Sequence, residues 1–228
     1  SGVAAVAAVA QITTATFSGT FQATDTFTLT INSIAYSATG RAAGTGTSAF
    51  VLKRRMWSPA NSLWNYSLLN NAADWIDANP SSGAGFINVA NESEGTERLV
   101  GAAVYNTNAV VFSLRHGSIF TISTDAQLNA LSQPIENSGA LAARAIIPYG
   151  STDVFYLDES GVRSLKARET SDVAYVDDIG TAIDSFMQEY TDTLPETTVQ
   201  RAVGLIEPRS GRLWMALGTR IFVLSNFP

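Results

Sequence analysis

The chain has 228 residues, 46% of them hydrophobic and 15% charged, with a net charge of −6 and a pI near 4.7. It is long enough to bury a sizeable core and too apolar for disorder, and it lacks the Lys/Arg excess a nucleic-acid-wrapping protein needs to neutralise phosphates. The absence of cysteine removes disulfides, thiolate nucleophiles and Cys-ligated metals, and no stretch approaches the roughly 20 apolar residues of a membrane span.

Ser1–Ala10 is apolar but has no positive flank, which makes it a poor secretion signal. The chain begins without Met and stops just after an apolar run, at Asn226-Phe227-Pro228. It therefore reads as a processed or excised piece of a longer one. Thr26–Ser37 alternates, with Phe27, Leu29 and Ile31 on one face and Ile34 and Tyr36 after a turn at Asn32-Ser33, so a hairpin is predicted. Ala42–Ser48 is a Gly/Thr-rich link. A second hairpin is predicted from Phe50–Trp57 and Leu63–Leu69 around a turn at Ser58–Asn61, with Trp57, Trp64 and Tyr66 as anchors. Asn70–Gly85 is a loop; a strand at Phe86–Val89 leads into an acidic turn at Asn91–Gly95.

Three similar units follow, Leu99–Ser123, Ala143–Ala167 and Arg201–Ser225. Each consists of a short apolar strand, a turn, an aromatic-bearing strand, a Gly turn and a final apolar strand. The turn glycines are Gly117, Gly161 and Gly218, at steps of 44 and 57 residues. A period near 44 built from antiparallel strands is the sequence signature of propeller blades. The longer second step leaves room for one inserted helix, predicted over Asp178–Tyr190 from the stripe Ile179, Ala182, Ile183, Phe186, Met187 and Tyr190. Asp177 and Asp178 stand where they could cap it, and Pro195 closes the region. The predicted fold is all-β, a β-propeller-like array of antiparallel blades with one inserted α-helix. The predicted domains are an N-terminal hairpin module, 1–48, and a blade domain, 49–228.

Candidate chemistry is sparse. His116 is the only histidine, so a Ser-His-Asp triad or a His-ligated metal would have to use it; its place before Gly117 marks it as a turn residue. A glycosidase needs only two carboxylates. The available ones are Asp158 and Glu159 in a turn and Asp172, Asp177, Asp178 and Asp184 around the helix, where turn formation and capping explain them. Lys53-Arg54-Arg55 beside Trp57 reads as a solvated strand edge. Arg163 lies within an apolar strand and needs a partner if buried; Asp184 is the candidate, Asp178 the runner-up. No catalytic residue, cofactor or metal is expected. Trp75 and Phe86 are the candidate interface aromatics.

Several segments together resemble a known family: Tyr66–Trp75, Gly83–Asn88, Ala109–Ser123, Asp153–Leu165, Asp178–Asp184 and Arg212–Pro228. They are similar to the tail nozzle or hub proteins (tail tubular protein B-like) of short-tailed bacteriophages and prophages, over the region from near Trp57 to the end. The resemblance implies a propeller-like domain repeated around a homo-oligomeric, six-fold ring beneath the portal and adaptor. It implies contacts with other tail proteins and DNA passing through the channel without specific binding. The location would be the virion tail, assembled in the bacterial host cytoplasm. The resemblance brings no active site, and Ser1–Ser48 departs from it. A glycan-binding or glycan-hydrolysing propeller is the alternative.

Overall fold

The computed structural model describes residues 26–31, 34–39, 48–77, 79–89, 97–150, 153–168, 171–207 and 209–225; for 26–31, 34–39, 167–168 and 171–173 the backbone alone is described. The N-terminal apolar segment, most of the link at 42–48, the acidic turn at 91–95 and the final 226–228 lie outside the described residues. The chain divides into two compact units, Ser1–Gly40 and Arg41–Pro228. In the first, β1 (Thr26–Ile31) and β2 (Ile34–Thr39) form an antiparallel hairpin that sets Leu29 opposite Tyr36.

Among the described residues the second unit holds four antiparallel sheets, each a meander in chain order. The first comprises β3 (Phe50–Leu52), β4 (Arg55–Ala60), β5 (Leu63–Tyr66) and β6 (Gly85–Asn88). The second comprises β7 (Gly101–Tyr105), β8 (Asn108–Phe112), β9 (Gly117–Thr121) and β10 (Ala130–Ile135). The third comprises β11 (Ile147–Tyr149), β12 (Asp153–Asp158), β13 (Gly161–Arg168) and β14 (Ser171–Asp178). The fourth has β15 (Val203–Glu207), β16 (Arg212–Leu217) and β17 (Arg220–Ser225). The first strand of each sheet packs against the first strand of the next, β3 on β7, β7 on β11 and β11 on β15. Blades standing side by side around their innermost strands have this arrangement, so the fold is all-β and propeller-like.

Successive side chains point to opposite faces of each sheet, so the second and third sheets bury residues on both faces and the first and fourth on one. In β8, Ala109 and Val111 join Trp57, Trp64 and Phe120 in the core between the first and second sheets. Val110 and Phe112 turn the other way and meet Val154, Tyr156 and Leu165 of the third sheet. Phe155, Leu157 and Val162 face Leu213, Met215 and Leu217 of the fourth. The predicted aromatic anchors stack in the first of these cores, Trp57 on Trp64 at 4.4 Å and on Tyr66 at 4.9 Å between ring centroids.

Several local expectations are corrected. The second predicted hairpin is two hairpins: the chain turns at Lys53-Arg54, and β4 continues through Ser58-Pro59-Ala60 to turn at Asn61. Pro59 is tolerated because β3 reaches only as far as Trp57, leaving its missing N–H without a strand to bond. With β6 this segment forms a fourth blade; its 18-residue insertion between β5 and β6 breaks the period that marks the other three. β10 and β14 were not anticipated either. β10 carries Pro134, which an edge strand accommodates, and a register shift between Leu131 and Gln133. Two helices, not one, join the third and fourth sheets: α1 (Asp184–Asp192) and α2 (Glu196–Val199). α1 starts six residues later than predicted because β14 keeps Asp177 and Asp178 paired to β13. Met187 is buried and Ile179, Ile183 and Tyr190 pack on the core, but Phe186 faces solvent.

Candidate functional site

Antiparallel pairing places the β8–β9, β12–β13 and β16–β17 turns at one end of the sheets, beside the segments that enter β7, β11 and β15. Phe112 lies opposite Gly101, and the Leu141 N–H donates to Leu157 O at 2.9 Å. Most polar side chains singled out in the sequence collect at this end.

The densest group is a hydrogen-bond chain at the β12–β13 turn. The Tyr156 hydroxyl lies 2.7 Å from Ser138 Oγ, which donates to Asp158 Oδ2 at 2.8 Å. Asp158 Oδ1 accepts from the Ser160 N–H and hydroxyl, both at 2.7 Å. Burial pushes the Tyr156 phenol up to about 12. Ser160 Oγ in turn accepts from Arg163 Nη2 at 2.6 Å. Arg163 Nη1 donates to Asp184 Oδ2 and to Asp178 Oδ1, each at 2.7 Å. Asp184, 9% exposed, also accepts from the Val162 N–H, so one carboxylate ties α1 to β13. Burial raises its pKa above the ordinary aspartate value; the Arg163 guanidinium opposes this, and the nearby Asp178 reinforces it. Lys166 pairs with Asp177 at 3.0 Å.

Gly161 explains why this turn is built so tightly. Its φ of +133° is one that glycine adopts freely, and a methyl group there would overlap the Asp184 carboxylate. Gly218 sits at φ +57° beneath the Tyr190 hydroxyl, which accepts the Thr219 N–H at 3.0 Å.

His116 stands beside Ser113 and Glu97, yet not as a triad. Ser113 Oγ donates to Glu97 Oε2 at 2.8 Å and accepts the His116 backbone N–H at 3.1 Å. The acid thus meets the serine directly, with no imidazole between them, and the group closes the β8–β9 turn. Glu159 forms an exposed pair with Arg115 at 3.5 Å. Asp172 belongs to the stretch described as backbone only.

A cavity of about 220 Å³ opens among the segments entering β7 and β11, Leu114 and α2. Leu99, Leu141 and Ala142 contribute apolar wall; Arg98, Glu196 and Gln200 contribute the polar part. Gln200 Nε2 donates to Glu196 Oε1 at 2.7 Å. The cavity escaped sequence reading because its lining comes from four separated segments. Among the described residues no group of three His, Asp or Glu side chains is placed to hold a metal ion, and no helix is long and apolar enough to cross a membrane.

The opposite end corrects the solvated-edge reading of the basic run. Lys53 and Arg54 turn at φ 49° and 63°, a two-residue hairpin geometry. Arg55 is only 1% exposed. Its Nη1 donates to Ser67 O at 2.8 Å and Gly83 O at 2.6 Å, and its Nη2 to Ser81 O at 2.9 Å and Thr124 O at 3.2 Å. It also stacks over Tyr66 at 5.1 Å. Burial lowers its pKa, with Tyr66 and Asp125 opposing. Arg55 thereby closes the long β5–β6 loop and fastens it to the second sheet.

Of the two candidate interface aromatics, Trp75 is half-buried in that loop, next to Asp74, whose carboxylate accepts the Ile76 and Asp77 N–H groups. Phe86 is 45% exposed, on the outer face of the first sheet. The two lie on different elements. No protein-family model matches the chain, and no curated protein matches it.

Proposed function

We propose that this chain is a structural component of a phage or prophage tail. In this reading it forms part of a ring-shaped nozzle or hub that conducts DNA, acts without catalysis, and is found in the virion tail. The observation that carries the reading is the way the polar side chains are used. Arg55, Arg163, Asp158 and Asp184 are all spent on holding turns and loops against one another. Such groups make rigid blades that present loops to neighbours. The described parts of the segments quoted above for the tail-protein resemblance lie on blade strands, on the loops and turns that join them and at the start of α1, which supports the reading. A net charge of −6 suits a channel wall that DNA passes with few lasting contacts, because Lys and Arg are what hold phosphates.

The test is electron microscopy of the parent particle together with mass spectrometry of purified virions. Density for these sheets in a symmetric ring around an axial channel is expected. Absence of the chain from virions, or a strongly basic inner face, would overturn the reading. A sugar held in the cavity between β7, β11 and α2 would favour a glycan-binding propeller instead.

A further inference from the structure

Ser118 is a polar residue in an apolar row. The register sets it opposite Val111, so its side chain shares the face that Ala109, Val111 and Phe120 present to the first sheet. It is 2% exposed, and no group among the described residues hydrogen-bonds its hydroxyl. A buried hydroxyl without a partner forfeits its bonds to water, so such groups are rare in folded proteins.

The space beside Ser118 shows where its partner lies. A cavity of about 10 Å³ opens there, with Glu97, Ser113 and His116 on its polar side and Leu99 and Val111 on its apolar side. Glu97 leads into β7, Ser113 follows β8, and His116 precedes β9. Glu97 uses Oε2 for two donors, the Ser113 hydroxyl at 2.8 Å and the Arg115 N–H at 3.3 Å. Its Oε1 takes no hydrogen bond from a described residue. Ser113 Oγ already donates to Glu97 and accepts the His116 N–H at 3.1 Å. Two oxygens of the lining residues thus keep unused bonding capacity. Ser118 Oγ can donate and accept, and Glu97 Oε1 can accept.

We propose that this cavity binds one water molecule, held between the Ser118 hydroxyl and the Glu97 carboxylate with His116 as a third neighbour. The size fits, since one water needs about 10–15 Å³ of such space and two to four polar partners. The same size excludes a phosphate, a sugar or a hydrated metal ion. A bare cation fits the chemistry poorly. The site offers one carboxylate and two hydroxyls, whereas a calcium-type ion takes about six to eight oxygen ligands, and N–H donors already point at Glu97 Oε2 and Ser113 Oγ. The water accepts from Ser118 and donates to Glu97, bridging β9 to the segment that enters β7. It adds a solvent link to the direct bonds by which Glu97 closes the β8–β9 turn. It also gives a partner to the one hydroxyl that this core row would otherwise bury unpaired. The inference concerns this turn alone and is independent of the tail assignment.

The test is a high-resolution crystal structure of the full chain, with urea unfolding of Ser118→Ala as its solution counterpart. A single peak about 2.5–3.0 Å from Ser118 Oγ and from a Glu97 carboxylate oxygen is expected. Ser118→Ala takes away one of the water's partners and should lower the folding equilibrium constant about two- to tenfold. The sign is decisive, because removing a hydroxyl that has no partner would leave the constant unchanged or raise it. Ordered walls around a cavity without a peak would overturn the proposal. So would a peak ringed by oxygens at about 2.3–2.6 Å, the spacing of a calcium-type cation. A folded Ser118→Ala as stable as the parent, or more so, would count equally against it. If that variant fails to fold, the crystal structure of the parent decides alone.

Discussion

Arg55→Met removes a buried guanidinium while keeping an unbranched apolar stem in its place. Four backbone carbonyls lose a donor: Ser67 O, Gly83 O, Ser81 O and Thr124 O. Ser81 O keeps the Ala126 N–H at 2.9 Å. Each of the other three, if left unpaired, costs about 1–3 kcal/mol. Water reaching the half-buried Nη2 side and the relief of a buried charge offset part of that. The expected net loss is about 3–5 kcal/mol, a large share of a typical domain stability of about 5–15 kcal/mol. Arg55→Lys keeps the charge but not the planar fork that serves carbonyls on two sides, and should cost about 2 kcal/mol. Urea unfolding followed by the fluorescence of buried Trp57 and Trp64 measures both, and limited proteolysis should find the 68–82 loop newly cleavable. A loss below about 1 kcal/mol for Arg55→Met, or a lysine variant as stable as the parent, would refute the reasoning.

In a double-mutant cycle at pH 7, Arg163→Ala with Asp184→Ala should show at least about 1 kcal/mol of coupling, and with the more exposed Asp178→Ala less than about 0.5; strict additivity of the Asp184 pair would count against the network. Asp184 carries a raised pKa, so the folded state binds its proton more tightly than the unfolded chain does. Its contribution is fully present below the unfolded pKa and is lost as pH rises through the folded one. Parent stability relative to Asp184→Asn should therefore climb as pH falls from 7 toward the ordinary aspartate range, and a flat or opposite trend in paired urea melts would show the burial argument to be wrong. Gly161→Ala combines a positive φ with a methyl group placed on the Asp184 carboxylate, and should cost about 2–4 kcal/mol. Gly211→Ala, at φ +60° with open space around it, should cost only about 1 kcal/mol; equal losses in thermal melts would remove the carboxylate from the explanation.

The all-β class and the three-strand repeat were legible because they rest on local signals. Alternating apolar residues mark the strands, and the turn glycines Gly161 and Gly218 sit at positive φ where their neighbours demand it. Arg163 was also legible: a cation inside an apolar strand announces its need for a carboxylate, and Asp184 and Asp178 both lie within reach of it. What the sequence hid is non-local. The blade formed by β3–β6 is interrupted by the loop that Arg55 closes, and only the folded chain brings Ser67, Ser81, Gly83 and Thr124 around that guanidinium. Backbone carbonyls leave no trace in residue identity, so nothing in Lys53-Arg54-Arg55 distinguishes the buried cation from the two in the turn. Likewise the pattern of β15–β17 is that of any blade. Tertiary structure decides which of its faces the third sheet covers and which stays open, because burial is settled by what the rest of the chain places opposite.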